Sequence, residues 1–206
     1  MAIEIVLPDS ARVEVTDTFR PRGRALNGLG DSVQAQLYWS SLDTTLTVQD
    51  STTGVSFANA VGTARLQART GRLFSNPEVV NILARLDSIQ TAGDAKDTVF
   101  VTPVPPDTAA DSLSDSLRVQ AVAFGGIAGG RRVVYAFSIF PDTGAAVTLV
   151  PNDTVFTSPA TGIAAVRVRL LPGPIPDSVV VTATMRHVNG TIVPHSPLTF
   201  VVGFRP

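Results

Sequence analysis

Residues that alternate apolar and polar, cut at short intervals by turn-forming pairs, constrain this chain more than any other feature of its sequence. Ile3-Glu4-Ile5-Val6, Ala11-Arg12-Val13-Glu14-Val15, Leu46-Thr47-Val48, Ala64-Arg65-Leu66-Gln67-Ala68-Arg69 and Val166-Arg167-Val168-Arg169 send one residue in two to each face, the spacing of a half-buried strand. Between them stand Pro8-Asp9, Asn27-Gly28, Thr53-Gly54, Pro141-Asp142-Thr143-Gly144, Pro151-Asn152-Asp153 and Asn189-Gly190, all turn chemistry. The best helical candidate runs from Pro77 to Leu86, but its Val and Ile content and its place at the end of a β pattern predict a last strand. Many short strands with Gly/Pro turns predict an all-β sandwich or barrel.

The chain also repeats itself. Residues 17 to 41 align without a gap onto 115 to 139, an offset of 98 that carries Asp17 onto Asp115. Arg20 meets Arg118, Ala25 meets Ala123, Gly28 meets Gly126, Ser40 meets Ser138, and Trp39 falls on Phe137. Further on, 62 to 69 resembles 162 to 169. A period near 100 residues reads as a duplicated domain rather than a solenoid, so two sandwich domains are expected, 1–85 and 86–206. The Pro- and Asp-rich stretch 102–116 could be a linker, but the strand-like VFV before it and SLRVQAV after it place it as a loop inside the second domain. Trp39 and Phe137 are expected to be equivalent and buried between the sheets of their own domains. Ser40, Ser41, Asp43, Thr44 and Thr45 form the turn that follows, where short polar side chains satisfy free backbone groups.

Composition removes several functions. In 206 residues, 44% are hydrophobic, enough for each domain to bury a core. A net charge of −1, with scattered arginines and Lys96 as the single lysine, gives no electrostatic footprint for nucleic acid or an anionic membrane surface. With no cysteine, disulfides, thiolate metal sites and cysteine nucleophiles are excluded. No apolar run nears the ~20 residues that span a bilayer, and MAIEIVLPDS lacks the basic start of a signal peptide.

Tyr38-Trp39-Ser40-Ser41-Leu42-Asp43-Thr44 followed by Gly62-Thr63-Ala64-Arg65-Leu66-Gln67-Ala68 resembles bacterial immunoglobulin-like (Big) domains, over about residues 5 to 83. The second half is similar to the invasin-like branch, through Tyr135-Ala136-Phe137-Ser138, Thr161-Gly162-Ile163-Ala164 and Val179 to Thr184. The resemblance implies two tandem immunoglobulin-like β-sandwich domains outside the cytoplasm, as spacers, adhesive modules or parts of surface and phage structures. A looser resemblance is to two-domain Ig-like accessory subunits on the periplasmic side of photosynthetic reaction-centre and light-harvesting complexes.

The remaining motifs carry little chemistry. Gly30-Asp31-Ser32 has a nucleophile's residue type but no matching histidine setting, and reads as a turn leading into a strand. Phe124 to Gly130 is glycine-rich without a Gly-Lys-Thr ending or a following helix, and reads as a hairpin loop. His187 and His195 flank the Asn189-Gly190 turn, yet no nearby carboxylate completes a zinc set, and both read as surface residues. Asp107, Asp111 and Asp115, with Asp94 and Asp97 upstream, lack the Asp-x-Asp-x-Asp spacing of a calcium loop. No catalytic, cofactor-binding or metal residue is therefore assigned, and no cofactor or small-molecule substrate is expected.

The strand-forming ends, Ile3 to Leu7 and Leu198 to Phe204, are expected to pair within their own sandwich in preference to a neighbour's sheet edge, and they carry only Glu4 as a guarding charge. Together with the acidic loop from Asp107 to Asp115, they are the expected docking surfaces. The function expected is a non-enzymatic accessory subunit of a larger extracytoplasmic assembly, with other protein subunits as partners and membrane association only through them. The alternatives are a cell-surface adhesion or carbohydrate-binding module, or a phage or filament protein. A carbohydrate binder usually presents a row of exposed aromatics, whereas aromatic residues make up only 6% here.

Overall fold

A computed structural model describes residues 1–104, 108–109, 111–142 and 144–205, without the side chains of 103, 104, 108 and 109. The chain forms two compact units: unit 1 is Met1–Arg85 together with His187–Thr191, and unit 2 is Leu86–Arg186 together with Ile192–Pro206.

Unit 1 begins with β1 (Ala2–Val6), β2 (Arg12–Glu14), β3 (Thr18–Phe19), β4 (Arg22–Leu26), β5 (Ser32–Val33) and β6 (Tyr38–Ser41). It continues with β7 (Leu46–Val48), β8 (Ser56–Ala58), β9 (Gly62–Thr70), β10 (Leu73–Phe74) and β11 (Glu78–Leu83). Ladders join β1 to β4 and β3 to β8 to β7, while β6, β9, β10, β11 and β2 make a second sheet. Val13, Trp39, Ala64, Leu66, Ala68, Val80 and Ile82 from that second sheet share one core with Leu46 and Ala58, against which Ile3, Ile5 and Phe19 pack. Two layers of strands thus close on one apolar interior.

Unit 2 opens with β12 (Ser88–Thr91), β13 (Lys96–Phe100), β14 (Pro103–Val104), β15 (Thr108–Ala109), β16 (Ser112–Leu113) and β17 (Leu117–Ala123). Then come β18 (Gly126–Ile127), β19 (Arg132–Phe140), β20 (Val147–Val150), β21 (Thr154–Phe156), β22 (Ile163–Leu170), β23 (Ser178–Met185) and β24 (Leu198–Arg205). One sheet runs β12-β17-β22, with β16 and β20 both on β22; the other runs β13-β24-β23-β19-β21. Strict alternation builds the second: Val179, Val181, Ala183 and Met185 of β23 are all fully buried, and the residues between them are half-exposed. Tyr135 on β19 reaches across the interior to donate its hydroxyl proton to the Ala164 carbonyl on β22, 3.1 Å away.

Strand order identifies the fold. In unit 2 the first strand pairs antiparallel as β12 with β17, then crosses to the other sheet and runs parallel to the last strand, β13 on β24. The sheets then read first-second-fifth-fourth and last-sixth-third, the immunoglobulin order. Unit 1 has the same plan: β1 pairs antiparallel with β4, β2 runs parallel to β11, and β9 lies between β6 and β11. The crossing in unit 1 is made at Asp9, Ser10 and Ala11, with φ of 50, 55 and 60°. Both units are all-β, immunoglobulin-like sandwiches.

Two expectations about the repeat are corrected. Phe137 is not the counterpart of Trp39: it is 38% exposed, whereas Trp39 is 6% and Tyr135 2% exposed. The pairing shows why, since Trp39 stands opposite Ala68 on β9 and Tyr135 opposite Ala183 on β23. The connection from Gly28 to Trp39 is two residues longer than that from Gly126 to Tyr135, so a gapless alignment right for the second strand is displaced by two positions along the same face at the third. The second part of the repeat joins unlike strands: β9 pairs with the third and last strands of its unit, but β22 pairs with the second and fourth. The segment from Pro77 does form a strand, β11.

Candidate functional site

The candidates singled out in the sequence fall mostly into structural duties. Trp39 sits where main chain approaches from two sides. A β-carbon on Gly54 would lie 2.9 Å from Pro21 Cγ and 3.0 Å from Trp39 Nε1, and one on Gly23 3.0 Å from the far edge of the indole. Beyond β6, the Ser41 hydroxyl donates to the Asp43 carbonyl at 2.8 Å. The Asp43 carboxylate accepts the Arg65 main-chain N–H at 2.8 Å and its guanidinium at 3.0 Å. These bonds from Arg65 hold the Asp43 carboxyl below its usual range.

Gly30-Asp31-Ser32 closes the β4–β5 hairpin. Asn27 Oδ1 accepts the N–H groups of Leu29 and Asp31 at 2.8 and 2.9 Å, and Ser32 pairs with Leu26. Phe124 and Gly125, at φ of 52 and 70°, form the two-residue turn between β17 and β18, the hairpin geometry that favours glycine. Gly129 is required by proximity: a β-carbon there would lie 2.4 Å from Pro159 Cα.

His187 is not a surface residue. Within unit 1 its side chain is buried, and Nδ1 lies 2.6 Å from Oε2 of Glu14, a fully buried carboxylate on β2. A buried carboxylate is costly unless paired and hydrogen-bonded, and His187 supplies one such partner. His195 is exposed, at φ 64°. Among the described residues no cluster of three or more His, Cys, Asp or Glu could hold a metal ion.

Of the acidic stretch, Asp107 lies outside the described residues. Asp111 is held by Arg169, whose Nε donates at 2.9 Å, and this guanidinium keeps the Asp111 carboxyl below its usual range. Asp97 accepts the main-chain N–H of Asp115 at 2.8 Å.

The expected docking edges change as well. β24 is no edge, because it is paired on both sides, with β13 and with β23. β1 is an edge of its sheet, with Glu4 directly opposite Arg24 and ion-paired to it at 2.5 Å. One edge strand not expected from the sequence is β21, which like several others carries no charge of its own. Thr154, Val155 and Phe156 carry no charge, and β21 pairs only with β19. Tyr135 N–H donates to the Asp153 carbonyl and Thr157 N–H to that of Arg131, so the alternation of the antiparallel ladder turns the N–H groups of Thr154 and Phe156 outward. Phe137, Phe140 and Phe156 are exposed. A cleft of about 510 Å³ lies between β19 and β20, lined by Tyr135, Phe137, Val147, Leu149 and Asp153 among others.

No protein-family model matches the chain, and no curated protein does. Among solved structures it is similar to the Yersinia pseudotuberculosis adhesin InvE, at 17% identity and a TM-score of 0.45, covering 99% of this chain and 59% of that one. It is similar to domains 4 and 5 of the S-layer protein SbsC, at 12% identity and a TM-score of 0.36, over 100% and 98% of the two chains. A third is the D00-D0 domain of intimin, at 13% identity and a TM-score of 0.32, over 99% and 100%. The chain thus spans under two thirds of the adhesin's length, and the fold assignment rests on strand order rather than on these likenesses.

Proposed function

We propose that this chain is a non-catalytic structural module that docks, outside the cytoplasm, on other protein subunits of a larger assembly. The observation that carries the proposal is the uncharged outer edge of β21 with exposed Phe156 on it. Unpaired main-chain donors next to an exposed aromatic are what an incoming strand uses: the backbone supplies hydrogen bonds and the aromatic ring takes an apolar side chain. Of the polar groups singled out in the sequence, His187 is engaged with Glu14 and Asp111 with Arg169, and the turn residue Asp43 is held by Arg65. The extracytoplasmic setting is the one that accompanies the immunoglobulin-like resemblance. The comparisons bring nothing to bear on a photosynthetic assembly.

The test replaces Phe156 by a photo-cross-linking aromatic residue in cells that make the protein. One defined protein is expected to be captured, and Thr154→Pro, which removes an outward donor, is expected to abolish capture while the fold is retained. Capture of no protein, or capture unaffected by Thr154→Pro, would overturn docking at this edge.

A further inference from the structure

Unit 1 holds a polar cleft that the docking edge does not use. It encloses about 670 Å³, the size of a small-ligand site, between Arg20, Arg22, Gln36, Leu37, Thr52 and Thr53, with Trp39 in its wall. Residues 20 and 21 interrupt the second strand between β3 and β4, and Pro21 is buried there. Arg20 and Arg22 are both exposed. Nε of Arg20 donates to the Thr53 carbonyl at 3.1 Å, and among the described residues neither arginine has an ion-pair partner. Arg24, next in the same alternation, is instead paired with Glu4.

The carboxylate of Asp50, on the turn that carries Thr52 and Thr53, has its hydrogen bonds taken up within that turn. Asp50 accepts the hydroxyls of Thr53 and Thr52, each at 2.7 Å, and their main-chain N–H groups at 3.3 and 2.8 Å. Spending those hydroxyl protons on Asp50 leaves the threonine oxygens as acceptors. Gln36 Nε2 donates to the Leu37 carbonyl at 3.0 Å, which leaves Oε1 as an acceptor. The cleft therefore offers two guanidinium donors beside a row of acceptors. A matching ligand has an anionic oxygen pair and several donors close together, and an acidic sugar carries both on one compact ring, whereas an acidic peptide spreads its N–H donors along an extended main chain.

We infer that this cleft binds a carboxylate-bearing sugar, its carboxylate on Arg20 and Arg22 and its hydroxyls toward Gln36, Thr52 and Thr53. Planar guanidinium groups suit carboxylates because they donate in pairs.

The full chain would be titrated by calorimetry with short oligosaccharides ending in glucuronate, galacturonate or sialate, and with a methyl-esterified galacturonate oligomer as a neutral twin. At least one acidic oligosaccharide is expected to bind, the ester not. Affinity is expected to fall about tenfold or more in Arg22→Ala or Arg20→Ala, each losing a charged hydrogen bond, and to stay unchanged in Arg24→Ala. Binding by none of the acidic sugars, equal binding of the ester, or equal loss in all three variants would overturn the inference. So would binding of an acidic peptide, such as tetra-glutamate, in preference to every sugar. The β21 edge takes no part, so the cross-linking result above neither supports nor weakens this site.

Discussion

Trp39 and Phe137 look alike in the sequence, but only one of them lies in a core. Trp39 is clasped between the main chains of Gly23 and Gly54, and Tyr135 takes the corresponding place in unit 2 with its hydroxyl tied to Ala164. Three substitutions separate these roles in denaturant unfolding. Trp39→Ala is expected to cost about 3–5 kcal/mol, as large-to-small core changes do. Tyr135→Phe, which drops one internal hydrogen bond, is expected to cost about 1 kcal/mol. Phe137→Ala is expected to stay within about 0.5 kcal/mol; a Phe137→Ala effect as large as that of Trp39→Ala would contradict the register. Burial of Trp39 was legible in its position at the end of an alternating run. The identity of its partner was not, because a two-residue difference in one connection leaves no trace in local composition.

Among the elements, strands were legible and their neighbours were not. Period two announces β9 and β22 equally well, yet one lies beside the last strand and the other beside the fourth, a choice made by ladder pairing far along the chain. β24 pairs within its own sandwich as expected, but it keeps no free edge for docking because β13 crosses sheets to reach it. The turn from Asp50 to Gly54 is a further element with a measurable signature. Hydrogen bonds from Thr53 first, and then Thr52, pull the Asp50 carboxyl far below its usual range. A carboxylate whose folded pKa is depressed stabilises the fold above the unfolded value, near 3.9, and loses that contribution as pH falls. Asp50→Asn is expected to narrow the difference in melting temperature between pH 7 and pH 3. An unchanged difference would show that the turn does not depend on the carboxylate.

At the scale of the molecule, a division into two sandwich domains was expected from a repeat near 100 residues and their immunoglobulin-like character only from the resemblance, whereas the membership of His187–Thr191 in unit 1 was not foreseen. Glu14 and His187 lie 173 positions apart, and no local pattern links them. Asn189 adds a second tie, donating from Nδ2 to Asp17 Oδ2 at 3.0 Å. Removing one partner of a buried pair weakens the compensation of the other, at a cost of up to about 3–5 kcal/mol. A fragment ending at Arg85 is therefore expected to melt well below unit 1 in the full chain. His187→Ala in the full chain is expected to reproduce much of that loss, with Trp39 fluorescence as the reporter. A fragment as stable as the intact unit would rule out any contribution from the segment.

That segment also gives unit 1 a schedule. A ribosome completes Arg85 about a hundred residues before it reaches Thr191, and at roughly 5–20 residues per second that is an interval on the order of 5–20 s. Throughout it, Glu14 has been made and its histidine has not. The first half of the chain is thus a nascent protein that waits for its own C-terminal turn, and anything that stalls synthesis in the second half leaves the first half unfinished as well.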